Sequence, residues 1–452
     1  MDPVPPLNLS QAFRFLDSFL NHERTSRWRY GKDLNLDGIR RLLDRLGRPD
    51  RRFRILHIAG TKGKGSTGAF AAAILQAAGS SVGLYTSPHL VDFRERIRIN
   101  GRPIAAPAFC RVVARVLPAA DRRMTFFDVT TACALVAFEQ ARVESAVLET
   151  GLGGRIDSTN AVTPAVTGIT PVSLDHTDQL GRTVARIAAE KGGILKPGVP
   201  AVIALQEPAG MRVIARIARR VGAPLRRLDR EVRIGPIRVT RRGTAFRLRT
   251  PERDYGVVRL PLLGRHQAVN AAAAVRMAEL WWASRIGDFP GADRLKRAVV
   301  RQGLRLAVQP ARCQLLPGLG PLGQPVILDG AQNGASAWAL RRTVEELFPG
   351  RPVCLIFGAC ADKEIGAMAE ALGPWARRLV LTRAAVPRAA DPKRLARHFR
   401  RWHPAAAVTG SVGEGIRAAF QGSSRRELFV AAGSLFVAAE CLRRFRILPY
   451  AD

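Results

Sequence analysis

Residues 53–78 constrain this chain more than any other segment. Phe53-Arg54-Ile55-Leu56-His57-Ile58-Ala59 reads as a buried strand, and Ser66 to Ala78 as a helix with Phe70 and Ile74 on one face and Gly79 as its stop. Between them lies Gly60-Thr61-Lys62-Gly63-Lys64-Gly65-Ser66. A plain turn needs one glycine; three with an interposed lysine let backbone amides approach phosphate oxygens unobstructed by a Cβ, and the helix N-terminus adds partial positive charge. Lys64 is placed to neutralise β- and γ-phosphates, so Gly60 through Ser66 are expected to hold ATP. The spacing departs from the common G-x-x-x-x-G-K-[ST] loop, because Gly65 intervenes between Lys64 and Ser66.

Such a strand–loop–helix unit belongs to an α/β fold, and the chain continues in that rhythm. Strands are expected at 53–59, 82–85, 145–149 and 165–170. Alternating short segments at 232–262 predict a small antiparallel sheet, followed by a helix over 267–282. After residue 301 the alternation restarts, with strands near 325–328, 353–357, 379–382 and 428–431. The expectation is a P-loop-containing parallel-sheet ATPase domain over residues 1–300 with a small antiparallel sheet, then a Rossmann-like C-terminal domain over 301–452.

Composition narrows the class. Hydrophobic residues at 47% and charged residues at 24% are ordinary for a globular chain. No apolar run reaches the roughly 20 residues that span a bilayer. The beginning lacks the basic and apolar stretches of an export signal, and the six cysteines form no CxxC pair. A cytoplasmic monomer with reduced thiols is expected. The 71 Lys and Arg against 37 Asp and Glu give a net charge of +34. Arginine recurs from Arg14 to Arg446 instead of concentrating in one stripe, which argues against a specific nucleic-acid partner. The field would help to gather triphosphates and acidic substrates.

In open parallel sheets, ligands sit at the carboxyl ends of strands. There the sequence places Glu149, ahead of a flexible Thr150-Gly151-Leu152-Gly153-Gly154-Arg155 loop, and Asp175-His176-Thr177. A carboxylate, an imidazole and a hydroxyl beside a triphosphate are groups that a catalytic Mg²⁺ can use, though His is an uncommon magnesium ligand.

The segments 57–66, Tyr85-Thr86-Ser87-Pro88-His89-Leu90, 93–101, Glu149 through Asn160, Leu174-Asp175-His176-Thr177 and 190–198 closely resemble the folylpolyglutamate synthase/dihydrofolate synthase family, a branch of the Mur ligases. The likeness runs along nearly the whole chain and weakens after residue 300. It implies an ATP- and Mg²⁺-dependent amide ligase that adds L-glutamate to dihydropteroate, to the γ-carboxyl of a reduced folate, or to both, through an acyl phosphate. Ser87, Glu149 and His176 resemble the family's magnesium ligands, and Lys191 its carbamylated lysine, which would help to hold a second Mg²⁺. Lys64, Glu149, His176 and Lys191 thus form the implied catalytic set. Thr125, Phe126, Phe127, Asp128, Ile156, Asp157 and Ser158 fall where the family contacts the pterin, and Lys32-Asp33-Leu34-Asn35 matches loosely. Asn270, Arg312 and Asp329 look like nucleotide contacts, the last two reaching across a cleft that would close about a linker near residue 300.

Several positions depart from the family's pattern. Lys62 stands where Asn is usual, Asp128 replaces a usual Glu, and Gln332 replaces the His of Asp-Gly-Ala-His-Asn. Pro310-Ala311-Arg312-Cys313-Gln314 stands for Pro-Gly-Arg-Leu-Glu. A Mur-type ligase with another acceptor, or a nucleotide-gated polyanion binder without catalysis, are the contrasting readings.

Overall fold

The computed structural model describes residues 7–23, 30–31, 34–285 and 295–450. Lys32 and Asp33 lie outside the described residues.

The larger sheet has eight strands: β1 (Arg54–Ala59), β2 (Val82–Tyr85), β3 (Ile97–Ile99), β4 (Arg102–Pro103), β5 (Ser145–Glu149), β6 (Val166–Ile169), β7 (Ala201–Ile203) and β8 (Leu225–Arg227). Their spatial order is β4-β3-β2-β5-β1-β6-β7-β8. From β2 to β8 the neighbours pair in parallel, whereas β3 and β4 form an antiparallel margin. Successive side chains of β1 point to opposite faces. Leu56 and Ile58 join a core with the helices Lys64–Ala77 and Arg265–Ala283, while Ile55 joins Tyr85, Ala146 and Leu148 under Ala106–Val116 and Phe126–Gln140. The sheet is therefore buried on both faces, which is why its strands read as nearly unbroken apolar runs.

The expected small antiparallel sheet is present as β9 (Arg233–Ile234), β10 (Arg238–Thr240), β11 (Gly243–Arg249) and β12 (Asp254–Leu260). Phe246, Leu248, Val258 and Leu260 pack it into the core beneath the Arg265–Ala283 helix.

The second unit holds β13 (Gln314–Leu316), β14 (Val326–Leu328), β15 (Val353–Phe357), β16 (Arg378–Leu381), β17 (Ala407–Val408) and β18 (Leu428–Ala432), in the order β13-β14-β18-β15-β16-β17. Only β13 runs antiparallel within this path. Helices cover both faces, the doubly wound arrangement of a Rossmann-type domain.

Residue 300 does not lie in a linker. Val300 and Leu304 of the helix Arg297–Leu306 are fully buried in the first unit's core. A Cβ on Gly303 would come within 2.5 Å of Ile74 Cα, so glycine is what lets this helix lie against the phosphate-loop helix. On packing grounds we place the crossing between units at 308–310, beyond this helix.

Candidate functional site

Ala59 ends β1 at the carboxyl edge of the sheet, and the chain turns through Gly60, with φ +148°, and Gly63, with φ +86°. Both need glycine. A Cβ on Gly60 would lie 1.8 Å from Thr170 Oγ1, and one on Gly63 would lie 2.3 Å from Asn270 Oδ1. Thr61 and Lys62 donate their amides to Pro171 O, which pins the loop to the end of β6. Gly63 occupies the cap position of the helix Lys64–Ala77 and brings no side chain to it, leaving the first-turn amides to a ligand.

This loop forms the floor of a cavity of about 1830 Å³ between the two units. Ligand pockets usually run to ~300–1,000 Å³, so this one has room for a nucleotide and a second substrate together. Of the sequence-predicted residues it brings together Gly60 through Ser66, Ser87, Phe126, Phe127, Glu149, Ile156, Asp157, Ser158, His176, Lys191 and Asn270 from the first unit with Arg312 and Asp329 from the second.

Thr125 and Asp128 do not line it. Thr125 caps the helix Phe126–Gln140, and its amide and hydroxyl both donate to Asp128 Oδ2, each at 2.9 Å; Asp128 N–H donates back to Thr125 Oγ1 at 3.1 Å. The remaining Asp128 oxygen accepts from Ser158 Oγ at 2.6 Å. A capping box with a third tie leaves Asp128 no free oxygen for substrate. Asp157 is similarly engaged, accepting from Leu152 N–H and from the Thr159 amide and hydroxyl, so it shapes the glycine loop after Glu149.

Charged groups from both units gather about this loop. Lys64 Nζ lies 3.2 Å from Gly60 O and 3.9 Å from Glu149 Oε1. Lys191 Nζ donates to Gly60 O at 2.8 Å, and its burial, reinforced by Lys64, pulls its pKa down to about 7. Burial pushes the Glu149 carboxyl up against the opposing pull of Lys64 and Arg312. Across the cleft, Asp329 accepts from the Cys313 and Ala331 amides at 2.6 and 2.7 Å, and its burial likewise raises its pKa despite Arg312.

The sequence reading counts Lys62 among the residues that hold ATP and does not account for it in place of the usual Asn; the structure pairs it with a carboxylate. Its ammonium donates to Asp175 Oδ2 at 3.1 Å, while Lys363 of the second unit donates to Asp175 Oδ1 at 3.0 Å. Burial alone would raise the Asp175 carboxyl, but Lys62, His176 and Lys363 together hold it well below the usual carboxylate range. Burial brings Lys62 down to about 8 in spite of that partner. His176 stands next to this bridge in a left-handed conformation, φ +51°, with Nε2 3.4 Å from Lys363 Nζ; burial and then Lys363 lower its pKa to about 4, so at neutral pH the ring accepts from the ammonium.

Glu149 and Ser87 suit a divalent cation. The nearest protein donors to the buried Glu149 carboxylate are the Ser87 amide at 3.4 Å and the Lys64 ammonium at 3.9 Å, both long, so its oxygens keep lone pairs free. Among the described residues no three His, Cys, Asp or Glu side chains cluster into a closed cage. Mg²⁺ commonly takes one or two carboxylates and completes its shell with phosphate and water, a demand that a carboxylate with free lone pairs beside the phosphate loop can serve. His176, engaged by Lys363, would have to exchange that partner to ligate.

Sequence reasoning missed the other wall. Arg96 is buried and makes a two-pronged pair with Glu23 at 2.6 and 2.8 Å, donates to His89 Nδ1 at 3.0 Å, and lies 5.4 and 5.6 Å from the Phe93 and Phe126 ring centroids. In the sequence the run Phe93-Arg94-Glu95-Arg96 enters only within the 93–101 segment of the family resemblance; the tertiary contact of Arg96 with Glu23, 73 residues away, is what makes it a wall of the cavity.

Residues 58–278 match the Mur ligase middle domain, and residues 311–435 match the Mur ligase glutamate ligase domain. Fold and site together thus define an ATP-dependent ligase of the Mur type. Dihydrofolate synthase/folylpolyglutamate synthase of Bacillus subtilis is 36% identical over 377 residues, covering 82% of this chain and 85% of that one. Folylpolyglutamate synthase of Mycobacterium tuberculosis, solved with ADP and AMPPCP, superposes with a TM-score of 0.86 at 30% identity, over 98% of this chain and 99% of that one. The bifunctional enzyme of Yersinia pestis, solved with AMPPNP and a manganese ion, gives a TM-score of 0.82 at 28% identity, over 99% and 100%. The chain belongs to the folylpolyglutamate synthase/dihydrofolate synthase family.

Proposed function

We propose that the chain joins L-glutamate to a pterin-bearing carboxylate, either dihydropteroate or a reduced folate, at the expense of ATP. The observation that carries this reading is the interdomain cavity that sets the Gly60–Ser66 loop, Lys64, Glu149 and Lys191 together with the aromatic pair Phe126 and Phe127. One end is built for a triphosphate and the other for a flat heterocycle.

In this reading the first-turn amides and Lys64 hold the phosphates and draw charge from the β–γ bridge. Mg²⁺, held by Glu149 and Ser87, would neutralise phosphate charge. The acceptor carboxylate forms a bond to the γ-phosphorus as ADP leaves. The glutamate amine then attacks the acyl carbon, inorganic phosphate departs, and the amine gives up a proton. Arg312 and Asp329 approach the nucleotide from the second unit, with Asp329 at the end of β14, where it can accept ribose hydroxyls. Lys191 as a carbamate would change a cation into an anion beside the metal position. Six free, buried cysteines support a reducing compartment such as the cytoplasm.

Mass spectrometry of products from dihydropteroate and from tetrahydrofolate, incubated side by side with ATP, Mg²⁺ and glutamate, tests the reading. A mass gain of one glutamyl residue on either acceptor supports it, and no amide product on either refutes it.

A further inference from the structure

Arg98 lies on β3, outside the cavity lining, and only 2% of it is exposed. Its guanidinium nonetheless touches three parts of the molecule that the ligase reaction must hold in register. One terminal nitrogen donates to Thr86 Oγ1 at 3.4 Å, next to Ser87 of the metal position, and to Gln309 Oε1 at 3.4 Å. The other donates to Val308 O at 3.5 Å. Val308 and Gln309 lie in the crossing between units, three residues ahead of Ala311 and Arg312 respectively. The face of the same guanidinium lies 4.7 Å from the ring centroid of Tyr450, at the far end of the second unit.

Gln309 extends the connection into the phosphate loop. A Cβ on Gly65 would fall 3.2 Å from Gln309 Nε2 and 3.4 Å from Glu149 Oε2, so the Gln309 amide sits directly against the loop and beside the metal carboxylate. Each polar contact of Arg98 is long and therefore individually weak. Their number, and the burial of the group that makes them, are what hold the crossing in place. A planar fork with donors on separate nitrogens and a face for an aromatic ring serves all of them at once, which the point charge of lysine cannot do.

We propose that Arg98 is a positioning residue that clamps the interdomain crossing and the C-terminal Tyr450 against the metal-side loop, and so sets Arg312 in its nucleotide-holding place. This rests on the ligase reading above. Arg98 does not line the cavity; it acts through Gln309 and Thr86.

The test is a double-mutant cycle on the full chain with Arg98→Lys and Tyr450→Ala, reading AMPPNP affinity by titration calorimetry and the KM for ATP and kcat separately. Arg98→Lys is expected to weaken AMPPNP binding and raise the KM for ATP by about tenfold with a smaller change in kcat, in a chain that remains folded by circular dichroism. Tyr450→Ala should do the same to a lesser degree, the double variant should be no worse than Arg98→Lys alone, and Tyr450→Phe, which keeps the ring, should restore most of the affinity. Nucleotide affinity in Arg98→Lys equal to that of the unmodified chain, or strictly additive effects of the two changes, would overturn the proposal. Failure of the unmodified chain to bind AMPPNP at all would instead refute the ligase reading. Should Arg98→Lys fail to fold, Gln309→Ala reads the same clamp from the crossing side, with the same expected and overturning results.

Discussion

At the scale of single residues, the lysines around the phosphate loop carry different burdens. Lys64 is the one near both Gly60 O and Glu149, and in the proposed reaction its charge draws on the β- and γ-phosphates. Lys64→Ala should lower kcat on the order of 100-fold or more with the fold retained by circular dichroism; unchanged turnover would contradict its role. Lys191 has a pKa near 7, because burial and Lys64 disfavour its charged form. Above that pH the amine is neutral and can add CO₂, forming an N–C bond and releasing a proton. Enzyme depleted of CO₂ should therefore regain activity on adding bicarbonate, faster at pH 8 than at pH 6, while Lys191→Met should not respond. Equal recovery at both pH values would argue against the carbamate. The sign for stability agrees in direction. Unmodified Lys191 binds its proton in the unfolded chain but not in the folded one between about pH 7 and its ordinary value of 10.5, so this group makes stability rise with pH across that window.

At the scale of elements, what could be read from the chain followed from local pattern. The strands 82–85 and 145–149 and the antiparallel segment lie where periodicity puts them, and the phosphate loop joins β1 to its helix as its three glycines require. Elements whose signals are tertiary were not legible. β3, β4, β7, β8 and β17 are two or three residues long, too short for a period to register, and exist because a neighbouring strand pairs with them. Likewise the helix Arg297–Leu306 reads as a polar, arginine-rich linker, yet it buries Val300 and Leu304 in the first core. Gly303→Ala tests that packing, since the added methyl would meet Ile74 and Ala73 backbone. A loss of about 1–3 kcal/mol in chemical denaturation is expected. A neutral effect would mean that the helix does not belong to the first unit. At the site, the loop and Glu149 could be read from their own strand-end residues, whereas Lys191 was implied only by the family resemblance, since by itself a lysine on that helix reads as solvated. The tie of Asp128 to Ser158 and the pairing of Lys62 with Asp175 and Lys363 were not legible, since those partners lie at long range or on the opposite unit; the Thr125–Asp128 cap is local, three residues apart, and was passed over for the pterin contact that the resemblance implied.

At the scale of the whole molecule, two sheets present their carboxyl edges to one cavity, and neither unit alone supplies both the phosphate loop and the Arg312–Asp329 pair. A net charge of +34 favours the approach of ATP and of anionic acceptors. Raising potassium chloride from 50 to 300 mM should therefore raise the KM for ATP several-fold through screening with little change in kcat; a KM indifferent to salt would show that the charge does not serve substrate capture. The central claim is that the phosphate loop and the aromatic end of the cavity act on two substrates in one ligation. Phosphate release from ATP by the purified chain, measured with acceptor alone, glutamate alone, both and neither, tests it most directly. Sustained release only when acceptor and glutamate are both present, matched one to one by amide product, is the predicted result; equal release without an acceptor would contradict it.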